Sequence, residues 1–538
     1  MSRVALLALL ALALTLTACA GAPTRIASVD PNESISFSVV LELPGEPRLD
    51  AELGSAPIGA AEFGRRYGLP LDAVRRVERR LEAAGIEVLD RYPQRTALEV
   101  RGRARDIESF FGFSFGLYED AEGRRFRAPI GQPVVPLDLR SAVAGVASLS
   151  TRPVEIAGAV PAAGFKPRDL AKAYNVPAGA LGRGQTIAVV SFASFDNADI
   201  RAFDRATGTK SGRIERIELA GGSDDLTSTL ALEAALDLQT VRGLAPRAKI
   251  LHYELPYTGK LDSFTRGMGI VMDTVVAQGR ADVVSISYGI CDRRLTRQGE
   301  ELLPDADRLR AANAFKAAVA AGMSVFVATQ DQGAYTCQRF DFNDHRLSTS
   351  WPGGDPNVVA VGGTRLSVEN DGTYGEEAGW EDVLSTFGGG GGLNPRDPRP
   401  DWQRGPGELA SSPGGKRQLP DVAAASDSDS GVFVVFRGKS TSVGGTSAAT
   451  PFWAAVAALV GEAAGRERLG DVPYLNPILY DIGSTRPRSG AFHDVTRGGN
   501  RYHSAGPDWD FSTGLGSPNV AVLIREVLAY LRGTSAQG

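Results

Sequence analysis

A tight turn that leads into an apolar helix is encoded at residues 444–451, which read GGTSAATP. The apolar run that follows Pro451, as far as Val460, predicts a buried helix, and the two glycines predict a turn at its N-terminus. Unpaired N–H groups and the helix dipole favour developing negative charge at such a position. Ser447 is therefore a candidate nucleophile.

Histidine is scarce in this chain and offers no clear partner for Ser447. None of the four histidines stands in a suitable sequence setting: His252, His345, His493 and His503. We therefore expect a residue of another type to activate Ser447.

Two carboxylates, Glu233 and Asp237 in the sequence EAALD, lie four residues apart and share one face if the segment is helical. Their neighbours are alanine and leucine, so the predicted helix is mostly apolar. Buried carboxylates must be paired or share a proton, which makes these two candidates for acid–base chemistry. The alternative is a solvated acidic stripe.

Strands and helices alternate through the middle of the chain. Strands are predicted at residues 187–192, 249–255, 283–287 and 323–328, and helices at 227–241, 271–278 and 309–321. This alternation predicts a parallel sheet with helices on both faces. Functional sites in such folds lie at the carboxyl ends of the strands, where Asp331 is expected. The alternative for Asp331 is a capping or turn aspartate.

A separate small domain is predicted at residues 34–150, which contain many arginines and neither cysteine nor tryptophan. Strands at 35–43, 97–100 and 113–117 and helices at 71–83 and 104–111 predict an α+β sandwich of the split βαβ type. Residues 151–164 are rich in Ala, Pro and Gly and predict a linker accessible to proteolysis, ahead of a larger domain at 165–538.

The N-terminus reads as a targeting segment. Arg3 precedes an apolar run at residues 4–16 that is short for a bilayer span, and LTAC at 16–19 matches the bacterial lipoprotein box. We predict a signal peptide at 1–18, a lipid anchor on Cys19 and a polar tether at 19–33. The alternative is an ordinary secretory signal. No later run is apolar enough to suggest a transmembrane helix.

The remaining two cysteines, Cys291 and Cys337, form a disulfide or stay as buried thiols; an exported protein permits the former. Composition narrows the function only slightly. The 538 residues exceed one ordinary domain, and the net charge of −5 carries no basic excess that points to nucleic acid.

Taken in order, the Glu-x-x-x-Asp helix, the Asp after a strand and the Gly-Thr-Ser turn resemble the sedolisin family of serine-carboxyl peptidases. The resemblance covers nearly all of the chain after residue 33. EFGRRYG at 62–68 and FRAP at 126–129 resemble the family's activation propeptide, and PRDLAKAYNV at 167–176 resembles the start of its catalytic domain; further landmarks lie at 358–366, 420–422 and 492–518. The resemblance implies a subtilisin-like, three-layer α/β catalytic domain with a parallel sheet, preceded by a small α+β, ferredoxin-like propeptide.

The resemblance also implies catalytic roles. Ser447 would be the nucleophile, Glu233 its general base and Asp237 the group that orients Glu233. Asp331 would belong to the oxyanion hole, where it can donate only when protonated. The family usually has Ser-Gly before this aspartate, so Gln330 is expected to alter the turn.

Substrate contacts are assigned to Ser287, Tyr288 and Gly289, because SISYG at 285–289 resembles the strand that pairs with substrate in subtilisin-like folds. The alternative is a buried core strand. The five glycines at 388–392 predict either a flexible surface loop or a close approach to substrate.

A Ca²⁺ site is implied near the C-terminus, where residues 492–496 and 506–510 resemble the family's calcium-binding segments. Asp494 and Asp510 would give carboxylates, and Val495, Gly506 and Asp508 would give carbonyl oxygens. His493 would be a neighbour. The alternative is an Asp-rich turn capped by its own side chains.

The sequence thus predicts an exported, lipid-anchored precursor of a serine-carboxyl endopeptidase that acts on peptides at acidic pH. Its own propeptide would inhibit it, and cleavage in the linker would release the enzyme from the membrane. Alternatives are an inactive peptidase-fold binding protein, a histidine-dependent hydrolase and a tripeptidyl exopeptidase.

Overall fold

The computed structural model describes residues 22–52, 56–156, 160–161, 164–382, 385–411, 415–428, 430–486 and 489–535. The predicted signal peptide and the predicted lipidation site at Cys19 lie outside the described residues. The predicted polar tether at 19–33 is wrong in its described part, because Thr24–Ser28 form a strand that pairs with residues 116–119 of the N-terminal domain.

The N-terminal domain contains a four-stranded antiparallel sheet in the order β3-β4-β2-β7 and a three-stranded sheet in the order β1-β5-β6. Its strands are β1 Thr24–Ser28, β2 Ser34–Leu41, β3 Glu87–Arg91, β4 Ala97–Arg103, β5 Ser114–Glu119, β6 Arg125–Ile130 and β7 Val143–Ala147; its helices are α1 Glu46–Glu52, α2 Ala60–Arg66, α3 Leu71–Ala83 and α4 Ala104–Phe111, with a 3-10 turn at Leu137–Leu139. The path β2-α3-β3-β4-α4-β7 is the predicted ferredoxin-like arrangement. Helix α3 buries Val74, Val77 and Leu81, which form its apolar stripe.

The large domain holds the remaining elements. Its strands are β8 Val160–Pro161, β9 Gly164–Phe165, β10 Thr186–Ser191, β11 Glu215–Glu218, β12 Lys249–Glu254, β13 Val283–Ile286, β14 Ile290–Cys291, β15 Ser324–Ala328, β16 Ser350–Trp351, β17 Val359–Val368, β18 Tyr374–Gly379, β19 Gly392–Pro398, β20 Lys416–Leu419, β21 Val422–Ala425, β22 Gly431–Phe436, β23 Lys439–Gly444, β24 Phe492–His493 and β25 Ser517–Pro518. Its helices are α5 Pro167–Ala173, α6 Asn197–Thr207, α7 Thr229–Leu244, α8 Leu261–Gln278, α9 Asp305–Ala320, α10 Glu408–Ser411, α11 Thr446–Arg466, α12 Leu475–Thr485 and α13 Val520–Ser535, with a 3-10 helix at Thr336–Arg339.

The central sheet runs in the order β11-β12-β10-β13-β15-β17, all parallel, with β21 parallel and β18 antiparallel to β17. One hydrophobic core lies between this sheet and helices α5, α7, α11, α12 and α13. A second core lies on the opposite face with α8 and α9. The predicted three-layer, parallel-sheet architecture is confirmed.

Helix α8 is ten residues longer at its N-terminal end than the sequence predicts. Gly267 and Gly269 lower the helix propensity of this part, but both lie against large neighbours. A Cβ on Gly267 would lie 2.9 Å from the ring of Phe192, and one on Gly269 would lie 2.8 Å from the guanidinium carbon of Arg310. Tertiary packing therefore selects glycine here within a helix.

Helix α11 is the central helix of the large domain. The expectation that no run after the N-terminus is apolar enough for a transmembrane helix is wrong by length and composition, because the segment Thr446–Glu467 meets both criteria. However, 89% of its most apolar stretch is buried. Among the described residues it is the one helix with this property. Its burial identifies it as a core helix.

The two domains share a buried polar interface. The Glu99 side chain on β4 accepts hydrogen bonds from Arg266 Nε on α8 at 2.8 Å and from Arg310 Nη2 on α9 at 3.0 Å. Arg310 also pairs with Asp273 at 2.5 Å, and Thr96 of the N-terminal domain donates to Asp273 at 2.7 Å. Because Arg310 and Asp273 are fully buried, the N-terminal domain supplies partners that these two side chains of the large domain would otherwise lack.

Candidate active site

Ser447 is the second residue of α11 and is only 3% exposed. The turn before it depends on Gly445, which has a φ of +109°. A Cβ on Gly445 would lie 3.1 Å from Asp331 Oδ2. Glycine thus meets both the conformational and the steric demands of the turn, as the sequence GGTS indicates.

Glu233 and Asp237 lie on α7, which packs against α11. The helix starts at an N-cap, Ser228, whose hydroxyl accepts from the N–H groups of Leu230 and Ala231. Both carboxylates are 0% exposed, so the alternative of a solvated acidic stripe is excluded.

The two carboxyls differ in their partners. Ser287 Oγ donates to Asp237 Oδ1 at 2.7 Å, whereas neither oxygen of Glu233 has a partner in full hydrogen-bond geometry. Burial raises the pKa of Glu233 to about 8, and the approach of the Ser447 hydroxyl lowers that pKa. Burial and the charge of Glu233 hold the pKa of Asp237 well above its usual value. The Ser447 hydroxyl thus approaches a carboxyl that can accept its proton.

Asp331 lies three residues past β15, at the carboxyl end of the sheet, and is 2% exposed. Its Oδ1 accepts from the backbone N–H of Thr446 at 2.8 Å and from the Thr446 hydroxyl at 2.9 Å. Burial raises the pKa of Asp331, and the hydrogen bonds from Thr446 and the charge of Arg339 lower it. The structure therefore brings Asp331 next to the residue that precedes Ser447, as the sequence predicts for one site.

The turn before Asp331 keeps a left-handed residue although Gln330 stands where the family usually has glycine. Gln330 has a φ of +72° and is 2% exposed. The expected change in the turn is therefore absent, and the non-glycine residue takes the glycine-like conformation instead. Arg339 Nη1 donates to Gln330 Oε1 at 3.0 Å. Sequence reasoning missed Arg339, and the nearby Cys337 was the only available signal.

The glycine run at 388–392 is buried and packs on the Asp331 turn. The N–H of Gly388 donates to the Asp331 carbonyl at 2.9 Å, and the N–H of Gly390 donates to the Gln330 carbonyl at 2.8 Å. A Cβ on Gly390 would lie 1.9 Å from the Thr329 carbonyl oxygen. The run is therefore a close backbone approach, but to the protein's own turn rather than to substrate.

Residues 152–156 line a cleft of about 800 Å³ whose walls come from the N-terminal domain, at residues 120–124, and from the large domain. Val154 N–H donates to the Gly259 carbonyl at 3.0 Å, the Tyr257 hydroxyl donates to the Val154 carbonyl, and Gly289 N–H donates to the Ile156 carbonyl at 2.9 Å. Val154 is 5% and Ile156 1% exposed. The accessibility expected of the linker therefore does not hold for this part, because its alternating apolar side chains pack into the cleft.

The predicted substrate-contact residues play three different parts. Gly289 holds the linker backbone, Ser287 binds Asp237 through its hydroxyl, and the Tyr288 side chain is fully buried in the core. The preceding strand β13 is an interior strand of the sheet, not an exposed edge. Peptide pairing is thus confined to the segment just past its carboxyl end.

Cys291 and Cys337 form a disulfide with their Cα atoms 4.9 Å apart. The bond joins β14, just after Gly289, to the 3-10 helix that ends at Arg339. It therefore links the peptide-binding segment to the Gln330–Arg339 pair.

The predicted calcium ligands lie around one loop. Asp494 Oδ2 accepts from the N–H of Asp508 at 3.2 Å, and Asp510 Oδ2 accepts from the N–H of Gly506 at 3.0 Å. Asp510 also accepts from the N–H groups of residues 512 and 513. This is the capped Asp-rich turn of the alternative prediction, and no group of three or more Asp, Glu, His or Cys side chains converges within the described ranges. The oxygen donors and the lack of a salt-bridge cation for Asp494 or Asp510 among the described residues still suit a hard cation.

Comparisons with known proteins agree with this geometry. The family description "Pro-kumamolisin, activation domain" matches residues 23–152, and "Subtilase family" matches residues 219–469. Kumamolisin from Bacillus sp. (strain MN-32) is 29% identical over 541 residues, covering 93% of this chain and 93% of that protein. Human tripeptidyl-peptidase 1 is 28% identical over 396 residues, covering 68% of this chain and 64% of that protein.

Among solved structures, Pseudomonas sedolisin, a serine-carboxyl proteinase complexed with pseudo-iodotyrostatin, superposes with a TM-score of 0.58 at 25% identity. The match covers 70% of this chain and 99% of that one. The activation-domain match falls on the N-terminal domain and the subtilase match falls on the large domain, in the order that the fold shows.

Proposed function

Because this chain belongs to the sedolisin family of serine peptidases and carries a pro-kumamolisin activation domain, we propose that it is the precursor of an acid-acting endopeptidase that works through an acyl-enzyme on Ser447. The observation that carries this proposal is the placement of Ser447 at a helix N-terminus beside the fully buried Glu233, which interacts in turn, through its charge, with the fully buried Asp237.

In the proposed reaction, Ser447 Oγ attacks the carbonyl carbon of the scissile peptide bond while its proton passes to Glu233. Protonated Asp331 donates to the oxyanion that forms on the carbonyl oxygen. The tetrahedral intermediate collapses as the C–N bond breaks, and Glu233 returns the proton to the leaving amine. Water then attacks the acyl carbon of the ester while Glu233 takes its proton. The C–O bond to Ser447 breaks as Glu233 returns the proton to Ser447 Oγ, which releases the peptide acid. Asp237, held by Ser287, keeps Glu233 oriented and shares the titration of the pair.

The pH dependence follows from two opposite requirements. Glu233 must be ionised to accept the proton, so activity falls as the pH drops below the pKa of the carboxyl pair. Asp331 must be protonated to donate, so activity falls as the pH rises through the pKa of Asp331, which burial raises. Burial raises the pKa of Glu233 to about 8 in the precursor. We expect water that enters after linker removal to lower it, which leaves an acidic optimum.

Endopeptidase action is favoured over tripeptide release by the course of the linker. Residues 151–156 continue without interruption from the N-terminal domain, and five of them, residues 152–156, line the cleft. A site that releases tripeptides must close after three residues, whereas this one holds a longer chain. The similarity to human tripeptidyl-peptidase 1 keeps exopeptidase action as the alternative.

The test compares two matched peptides as substrates of the acid-activated protein between pH 2.5 and 8. One is an N-acetylated decapeptide. The other has the same sequence but begins, with a free amine, three residues before the scissile bond. We expect cleavage of the acetylated peptide, with an optimum below pH 6. Cleavage of only the free-amine peptide, three residues from its N-terminus, would establish tripeptidyl action instead.

The N-terminal domain is an intramolecular propeptide. We expect the ion pairs of Glu99 to contribute to its affinity for the large domain. Replacing Glu99 with glutamine removes the charge that faces Arg266 and Arg310. Since breaking a buried ion pair costs about 3–5 kcal/mol, we expect the propeptide to dissociate two to three powers of ten more readily once the linker is cut. Gel filtration of the nicked complex measures this. Glu87→Gln, which removes an exposed partner of Arg101, is the control and should leave the complex intact; equal dissociation of both variants would contradict the account.

Calcium binding is proposed for the loop around Asp494 and Asp510. When bound, Ca²⁺ would lie among their carboxylates and the carbonyl oxygens of Val495, Gly506 and Asp508, and would brace the loop without taking part in the chemistry. We expect chelation to lower the melting temperature, and Asp510→Asn to abolish the response to added Ca²⁺. A melting temperature that is the same with Ca²⁺ and with chelator in the unchanged protein would refute the site.

Export and a lipid anchor at Cys19 are proposed from the sequence alone. Because Cys19 precedes the propeptide, cleavage within residues 151–164 would separate the enzyme from the anchor. Finding the mature enzyme, free of propeptide, in the lipid-bound fraction after membrane separation would exclude this release.

A further inference from the structure

The turn before Asp331 holds Gln330 in a backbone conformation that is unfavourable for a residue with a side chain. Gln330 adopts a φ of +72°, a conformation that glycine takes freely and that side-chain-bearing residues adopt at a cost. Strained residues of this kind persist only when surrounding contacts hold them. The contacts of Gln330 therefore bear directly on where the Asp331 carboxyl points.

Both ends of the Gln330 amide are held. Nε2 lies 3.4 Å from the Ser287 carbonyl, to which it donates, and Oε1 accepts from Arg339 Nη1 at 3.0 Å. The amide also packs on the peptide-binding segment, because a Cβ on Gly289 would lie 3.0 Å from Gln330 Nε2. The Gln330 side chain thus contacts the segment that contains Ser287 and Gly289. The same contacts hold the backbone of Gln330, the residue directly before Asp331.

Arg339 is fixed in turn by covalent structure. It ends the 3-10 helix Thr336–Arg339, two residues after Cys337, whose disulfide partner Cys291 lies two residues after Gly289. No carboxylate pairs with Arg339 among the residues that the structure describes. Its defined polar contact is the one to Gln330.

We propose that Gln330 and Arg339 are positioning residues: Arg339, anchored by the disulfide, holds Gln330 in its left-handed conformation and so holds the Asp331 carboxyl at the oxyanion site. This inference rests on the proposed role of Asp331. It goes beyond that role by assigning a function to a position where the family usually has glycine.

The test is a double-mutant comparison of kcat and KM on the acid-activated enzyme. The variants are Gln330→Ala, Gln330→Gly, Arg339→Met and the combination of Gln330→Gly with Arg339→Met, with Asp331→Ala as the reference for loss of the oxyanion donor. Each is measured at its own pH optimum, because the charge of Arg339 also lowers the pKa of Glu233 and of Asp331.

Gln330→Ala keeps the strained conformation and loses both hydrogen bonds, so we expect kcat to fall about 10- to 100-fold with KM changed less than about threefold. Gln330→Gly relieves the strain and should cost no more than about threefold in kcat. Arg339→Met should resemble Gln330→Ala when Gln330 is present and add less than about twofold when residue 330 is glycine. Arg339→Lys, which retains a donor, should recover part of the loss, and Arg280→Met, an exposed arginine paired with Glu215, should leave kcat unchanged.

An equal loss from Arg339→Met in both backgrounds, while Asp331→Ala still lowers kcat at least about 100-fold, would overturn the positioning role and leave the proposed function standing. Full kcat in Asp331→Ala would overturn both the oxyanion role and this inference. A Gln330→Gly variant as impaired as Gln330→Ala would also contradict the proposal, since relief of strain would then have no effect.

Discussion

Replacing Ser447 with alanine is expected to lower kcat by a factor on the order of 10⁴–10⁶, because the acyl-enzyme can no longer form. Binding should change little, since the change removes one hydroxyl from a side chain that is 3% exposed. The precursor of the variant should also remain uncut if processing is carried out by the enzyme itself. Hydrolysis of a peptide by the variant, with the propeptide removed by an added protease, measures the effect.

Ser285→Ala is the matched control for this change. Ser285 is 0% exposed and its hydroxyl is buried without a partner, but the residue lies within β13 and is not one of the proposed catalytic side chains. We expect the control to retain the kcat of the unchanged enzyme within about threefold, since no reacting group is removed. Retention of more than a tenth of the activity by Ser447→Ala would rule out Ser447 as the nucleophile.

Glu233→Gln is expected to have the second largest effect, a fall in kcat of about 10⁴-fold or more. Glutamine fills the same volume but cannot accept the proton of Ser447. The loss should be present at every pH between 2.5 and 8, because the amide does not titrate. The acid limb of the residual rate should disappear for the same reason.

Glu377→Gln provides a buried glutamate as control. Burial raises the pKa of Glu377 as it does that of Glu233, but Glu377 accepts hydrogen bonds from Tyr174, Thr364 and Ser517, away from Ser447. Its replacement should lower stability and leave the pH profile of kcat in place. If Glu377→Gln and Glu233→Gln reduced kcat equally, the effect of Glu233 would be one of folding rather than of proton transfer.

The elements predicted best are those whose signals are local. Helices α3 and α4 were predicted at the residues where they occur, because an apolar stripe is bounded by glycine in each case. Ser447, Glu233 and Asp331 are predicted as site residues because the turn, the helix and the strand end that carry them occur in an order that resembles the sedolisin family. The structure adds that their elements converge at one edge of the parallel sheet.

What the sequence could not supply were contacts between distant segments. Residues 388–392 are glycines because Thr329 and Gln330 occupy the space that side chains would need. No local sequence pattern identifies Thr329 and Gln330 as the neighbours. The same holds for Gly269, where the Arg310 guanidinium occupies the space that a side chain would need. The burial of Ile156 was missed because an Ala-, Pro- and Gly-rich segment reads as exposed until the cleft that receives it is known.

A carboxyl-activated serine must be distinguished above all from catalysis by carboxyls alone, in which water attacks the peptide bond directly. The direct measurement is mass spectrometry of the enzyme after acid quenching of turnover, with mapping of the tryptic peptide that covers residues 440–466. We predict a covalent acyl adduct on Ser447 in the unchanged enzyme and none in Glu233→Gln. An enzyme that turns over at full rate with no adduct, or with the adduct on another residue, would contradict the account.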